Sequence, residues 1–422
     1  MLRFCAFIIL TVVAATADDF QGSTHITPFD EDTIAYSKSE ADGPIPRLQK
    51  RIEKGDVKLP FDPEHGFLTA LLRELKVDTN SQMLVFSKTS FQRERISPTR
   101  PRALYFSDDV YIGYVHGSPM LEVSSVDPKL GAVFYTVAQQ RGSIPKFVRT
   151  DQCLECHAST KSLGVPGHLI RSFACDDNGT VDLTRGTSLV THRTPLLERW
   201  GGWYVTGSAS GESHRGNLIG YEAYDQLEKT GKGSGDLSDL SEFFAAEEYP
   251  AASSDIVALM VLEHQSHMHN YITRMNYEAR IALEQFGHLN YQKSKVDAFL
   301  RYTLFTDETK LAKPVKGNTQ FSQNFAARGP KDRQGRSLRD FDLQARLFKY
   351  PCSYLIYSEA FDTLPSQLKD VLYKRLWDIL NGNDSNTDFK NIPSAKRTAI
   401  REILIQTKPG LPDYWRAQPN AS

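Results

Sequence analysis

Cys153-Leu154-Glu155-Cys156-His157 is the stretch around which the rest of the chain is read. Two thiols three positions apart are spaced to add across the two vinyl groups of one haem. His157 then lies beneath the iron and offers an imidazole nitrogen as the proximal axial ligand. A chain of 422 residues with 5 cysteines and 11 histidines would produce this pattern by chance about 0.0015 times. A zinc site would want a second Cys/His pair at suitable spacing, and Cys175 and Cys352 do not form one. A redox dithiol would want a strand–helix–strand setting, which the flanks lack. The motif therefore predicts one covalent haem c, held by Cys153, Cys156 and His157.

Downstream of His157 comes Val165-Pro166-Gly167. A carbonyl in such a loop can accept the proximal imidazole N–H and fix its orientation; a plain surface turn is the other reading. The sixth iron ligand is less legible. His168 is close in sequence, and His192 and His214 flank Trp200-Gly201-Gly202-Trp203. A long helix predicted over 255–285 carries Glu263-His264-Gln265-Ser266-His267-Met268-His269. On it His264 and Met268 share a face with Tyr271 and Met275. His264 is the leading candidate for the distal ligand, against the plainer reading of an amphipathic core helix with exposed histidines. Tyr105, Tyr111, Tyr114, Phe134, Tyr135, Trp200, Trp203 and Tyr204 either wall a haem edge or pack a sheet. Arg149 and Arg171 bracket the motif, as propionate partners or as ordinary surface charge.

The N-terminus agrees with the motif. Met1-Leu2-Arg3, an apolar run from Phe4 to Val13 and Ala15-Thr16-Ala17 form the three parts of a secretory signal peptide over 1–17. A retained anchor is the alternative. Covalent haem attachment takes place outside the cytoplasm, so both features predict a periplasmic or otherwise exported protein. No later stretch reaches ~18 consecutive apolar residues, so no transmembrane span is expected after cleavage. Lys plus Arg (50) nearly balances Asp plus Glu (51), and nothing calls for nucleic acid. With 40% hydrophobic and 24% charged residues, the chain is globular rather than disordered. In an oxidising compartment Cys175 and Cys352 either bridge or stay as buried thiols.

Organisation follows from patterning. Residues 18–44 read as a polar, poorly ordered arm, and 45–54 and 65–77 as short helices. From Met83 to Val137, short β-branched and aromatic runs separated by Asp108-Asp109, Gly117-Ser118-Pro119 and Asp127-Pro128 predict a small antiparallel sheet. Turn-rich sequence with two or three strands continues to about 220, and the Gly/Ser/Asp stretch 231–239 marks a boundary. Beyond it, a helix capped by Ser254 and ended by Gly287, then segments 299–305, 364–380 and 395–407, read as helical. The expected fold class is α+β: a cytochrome-c-like haem segment in a small antiparallel sheet region (45–230), then a mainly helical half (240–422).

The chain resembles a little-characterised family of large exported bacterial c-type cytochromes with a single CxxCH motif. Pro101-Arg102-Ala103-Leu104-Tyr105-Phe106, Arg149-Thr150-Asp151-Gln152 leading into the motif, Gly164-Val165-Pro166-Gly167-His168, Glu198-Arg199-Trp200-Gly201-Gly202-Trp203 and Phe348-Lys349-Tyr350-Pro351-Cys352 carry the resemblance. It implies haem binding and electron transfer, and supplies no reaction or redox partner. The chain has roughly 300 residues beyond what one haem needs. Two alternatives therefore stand beside an electron carrier: a haem enzyme or gas- or peroxide-reactive protein with an open distal site, and a scaffold with a structural haem.

Overall fold

A computed structural model describes residues 26–290 and 293–416; the expected signal peptide lies outside them. Its centre is a six-stranded antiparallel meander, β1 (Met83–Val85), β2 (Arg102–Phe106), β3 (Val110–Val115), β4 (Met120–Asp127), β5 (Gly131–Ala138) and β6 (Phe147–Arg149), each strand paired with the next. Side chains alternate across a pleated sheet, so each strand feeds two faces. Tyr105, Ile112, Tyr114, Leu121, Val123, Val133, Tyr135 and Val137 bury one face with α1 (Pro44–Glu53) and α2 (Leu68–Glu74). Phe106 and Val126 bury part of the other face in the core of the helical half. The fold is α+β, with the sheet in the first half and helices dominating the second.

One turn of helix, α3 (Leu154–His157), follows β6; then come the small ribbon of β7 (Arg171–Phe173) and β8 (Thr187–Leu189) and helix α4 (Tyr221–Thr230). The second half contains α5 (Ile256–Phe286), α6 (Lys293–Thr303), α7 (Thr319–Ala327), α8 (Glu359–Asp362), α9 (Ser366–Asn381) and α10 (Ser394–Thr407). At 1.5 Å per residue α5 is about 46 Å long, and it packs on β5, α6, α7 and α8. The 231–239 stretch thus precedes a helix that returns to the sheet. Among the described residues no helix is long and apolar enough to cross a membrane.

Three expectations change. The N-cap of α5 is Asp255, whose carboxylate accepts from Ala258 N–H, because the Ser254 hydroxyl is committed to the Tyr204 carbonyl at 2.6 Å and to Leu84 N–H at 2.9 Å. The described part of the 18–44 arm is packed, with Ile34 and Tyr36 buried and the Tyr36 hydroxyl donating to the Ala132 carbonyl at 2.8 Å. Its few apolar residues are enough to pin it. The histidines of α5 are buried rather than exposed: His264 is 0%, His267 3% and His269 2% accessible. Gly287 ends the helix as expected, in the left-handed region at φ +72°.

Candidate functional site: the CxxCH turn on the sheet

The motif is placed by β5 and β6. Thr150 N–H donates to the Phe134 carbonyl at 3.0 Å, which turns the chain across the end of the sheet. Within α3, His157 N–H donates to the Cys153 carbonyl at 3.0 Å, so one helical turn sets the two thiols and the imidazole on neighbouring positions. Cys153 is half-buried, Cys156 is exposed, and both thiols are free. Burial, aided by the Glu122 carboxylate, pushes the Cys153 thiol up to about 11 and keeps it protonated.

His157 and Gly167 hold each other twice. Gly167 N–H donates to the His157 carbonyl at 2.8 Å, and His157 Nδ1 lies 2.9 Å from the Gly167 carbonyl. A carbonyl oxygen only accepts, so Nδ1 carries the proton and the lone pair of the neutral ring lies on Nε2. Burial lowers the pKa of the ring, with Arg102 adding to it, while Gly167 and Glu122 oppose. A neutral imidazole with Nδ1–H anchored and Nε2 bare is the form that ligates iron. With both thiols free beside it, the residues present fit a covalent haem.

The loop that closes this arrangement is fixed from several sides. Leu163 (φ +59°) and Gly164 (φ +70°) reverse the chain. The buried Ser162 hydroxyl lies 2.8 to 3.1 Å from the carbonyls of His157, Ser159 and Val165 and accepts from Ser159 N–H at 3.0 Å. From α5, Asn270 accepts from His168 N–H at 3.0 Å and donates to the His168 carbonyl at 2.8 Å. A side chain at Gly167 would put its Cβ 2.1 Å from Asn270 Oδ1. Only glycine lets the helix come this close.

The rings of His157 and His168 both pack on Phe134, at 4.8 and 5.8 Å between centroids. His168 packs on Tyr111 with ring centroids 3.9 Å apart and the planes tilted by 33°, and its Nε2 is 2.7 Å from the Ser124 hydroxyl. Tyr111, Ser124 and Phe134 form one cross-strand row. The next row holds Leu104, Gly113, Glu122 and Thr136. The Arg102–Glu122 ion pair (2.7 Å) lies there and acts electrostatically on both Cys153 and His157. Of the expected aromatic wall, Tyr111 and Phe134 face the motif, while Tyr105, Tyr114 and Tyr135 face the opposite core by strand alternation.

His264 does not join this site. Its Nδ1 is 2.9 Å from His192 Nδ1, its Nε2 is 2.9 Å from the Ser353 hydroxyl, and its ring stacks on Tyr302 and Phe305. Both nitrogens are engaged, so the arrangement leaves none for iron. The physical reason is burial: an imidazole 0% accessible must satisfy both polar atoms. His192 shares that cluster, Met268 meets Thr303, and the His214 Nδ1 accepts from Gly216 N–H. Of the two arginines, Arg149 lies elsewhere, whereas Arg171 acts electrostatically on Cys156. Arg149 grips the carbonyls of Tyr36 and Ser39 beneath the opposite sheet face, and Arg171 covers Phe173 at 4.4 Å while donating to Thr187 at 2.9 Å. Cys175 and Cys352 are buried free thiols. A groove of about 750 Å³ lined by Trp377, Arg401 and Trp415 lies in the helical half.

No family model matches this chain, and neither does any curated protein or solved structure. The site is therefore described by its own residues. Those that motif reading missed are Asn270, Ser162, Arg102 and Glu122. Arg102 and Glu122 carried a signal: opposite charges at alternating positions of two strands whose other residues are largely apolar. Asn270 carried one too, as part of a polar run inside an otherwise apolar helix.

Proposed function

We propose that the protein is an exported electron-transfer protein carrying one covalent haem c on Cys153 and Cys156, with His157 as proximal ligand. The observation that carries the reading is the double link between His157 and Gly167, which presents Nε2 of a neutral imidazole one residue beyond two free thiols. In forming the attachment, each thiol S–H adds across one vinyl double bond, sulfur to one carbon and hydrogen to the other, with no oxidant required. The haem supplies one-electron exchange between ferric and ferrous iron. The chain's own residues hold the axial imidazole, fix its tautomer through Gly167 and brace that loop through Asn270.

A second reading, a haem protein with an open sixth position, has a specific support. His192, His214, His264 and Met268 are engaged elsewhere, and His168, which shares Phe134 with His157, has its Nε2 on the Ser124 hydroxyl. A pyridine haemochrome assay on protein matured in a host with c-haem machinery tests the common part, with one haem per chain as the expected result. A ferrous spectrum unchanged by carbon monoxide then supports the carrier; ready binding supports the open site.

A further inference from the structure

We propose that Arg102, held in place by Glu122, is the receptor for the carboxylate side chains of the porphyrin tethered by the motif; this rests on the haem reading above. Both residues lie on the sheet face that carries the motif. Glu122 is paired across strands with Gly113 and Arg102 with Val115, so Arg102 reaches diagonally to set its Nη1 2.7 Å from Glu122 Oε2.

The pair is unfinished. Arg102 and Glu122 have side chains only 17% and 19% accessible, yet Arg102 Nε and Glu122 Oε1 are buried without a hydrogen-bond partner. A buried guanidinium with an unused N–H is costly unless an acceptor arrives. A carboxylate is the acceptor whose geometry a guanidinium fits best. The macrocycle's two carboxylates are the anions that the motif would bring to this face. Glu122 then has a definite part: it holds the fork by Nη1 and leaves the Nε side for the ligand. Beyond the pair the same row runs outward to Val148, 52% exposed, so the face opens towards solvent.

The test compares two porphyrins that differ only in those carboxylates. Full-length protein with Cys153→Ala and Cys156→Ala, retaining His157, is titrated with ferric protoporphyrin IX and with its dimethyl ester. Arg102→Gln should weaken the free acid about ten- to hundredfold, the range for losing a hydrogen bond to a charged group, and leave the ester unchanged. Arg102→Lys, which keeps the charge, should restore most of the preference and controls for folding. In the haem-loaded protein, Arg102→Gln should lower the midpoint potential at unchanged haem content. Equal loss for acid and ester, or no loss for either, overturns the assignment. A matured wild-type protein without covalent haem would instead overturn the reading beneath it.

Discussion

Asn270 grips His168 by both of its peptide groups, accepting from the N–H at 3.0 Å and donating to the carbonyl at 2.8 Å. His168 follows Gly167, whose carbonyl accepts a hydrogen bond from His157 Nδ1–H. A residue of the central helix therefore determines, through the single peptide unit joining Gly167 to His168, how the axial imidazole stands. Replacing Asn270 with alanine leaves two buried peptide groups unsatisfied and should cost about 2–4 kcal/mol of stability. Asn270→Asp keeps the acceptor and lacks the donor, so it should also destabilise. Denaturant titration measures the cost, and the ferric spectrum of the loaded variant should show an altered axial ligand field. A variant as stable as wild type with an unaltered spectrum would refute the brace.

Gly167→Ala tests the same contact from the other side. Its Cβ would meet Asn270 Oδ1 at 2.1 Å and Cγ at 2.7 Å, which forces the loop away from α5. A loss of roughly 2–3 kcal/mol is expected, in the range for overpacking a tight contact. Combining it with Asn270→Ala removes the obstructing atoms, so the double variant should lose less than the sum of the two. Strict additivity in unfolding free energies would show that the two residues do not touch.

His264→Ala should separate stability from ligation. The substitution removes hydrogen bonds to His192 and Ser353 and ring stacking on Tyr302 and Phe305. A cost of roughly 2–4 kcal/mol follows. Optical and electron paramagnetic resonance spectra of the haem should not change. A change in iron spin state would return His264 to the ligand set.

Acid should unfold the protein early. Burial drives His269 down to about 4 and holds His168, His192 and His264 well below the ordinary histidine range, so all four fold uncharged. In the unfolded chain each titrates near ~6.5. Below that value the unfolded chain binds protons that the folded chain does not, so stability falls as pH drops from about 6.5 towards 4. Each histidine contributes about 1.4 kcal/mol per pH unit in that window. Glu263, lifted to about 8 by burial against the attraction of Arg199, works in the opposite direction, losing stability as pH rises from its unfolded value through 8. Asp109 and Asp255, lifted by burial to about 7 and about 6, offset part of the slope, so the urea midpoint should drop below pH 6.5 less steeply than the histidines alone would give, and His269→Asn should flatten it further. A midpoint constant from pH 6.5 to 4 would contradict the buried neutral cluster.

Local patterning carried much of this fold. Strands β2 to β5 were legible because alternation and turn residues act over a few positions, and α5 because its apolar run and terminal glycine mark it, although the cap expected at Ser254 falls one residue on, at Asp255. Strand β6 was not, since Phe147-Val148-Arg149 is too short to show a period and is made a strand by pairing with β5. The site divided in the same way. Cys153, Cys156, His157 and the Val165-Pro166-Gly167 loop belong to one local segment. His264 looked like a ligand because helical spacing shows which residues share a stripe but not what lies opposite. Its true neighbours, His192 and Ser353, are 72 and 89 positions away. Asn270 reaches His168 across 102 positions and Arg102 reaches Glu122 across 20, which only packing reveals.

The chemistry of one peptide decides whether the chain carries covalent haem. Tryptic digestion of exported, purified protein should release Thr150 to Lys161, and its mass determined after acid–acetone extraction reads the outcome directly. With two thioether links in place, this peptide should keep its colour and weigh one haem more than its amino acids, with no free thiol. A colourless peptide at the mass of its residues alone, from a host able to attach haem, would contradict that attachment.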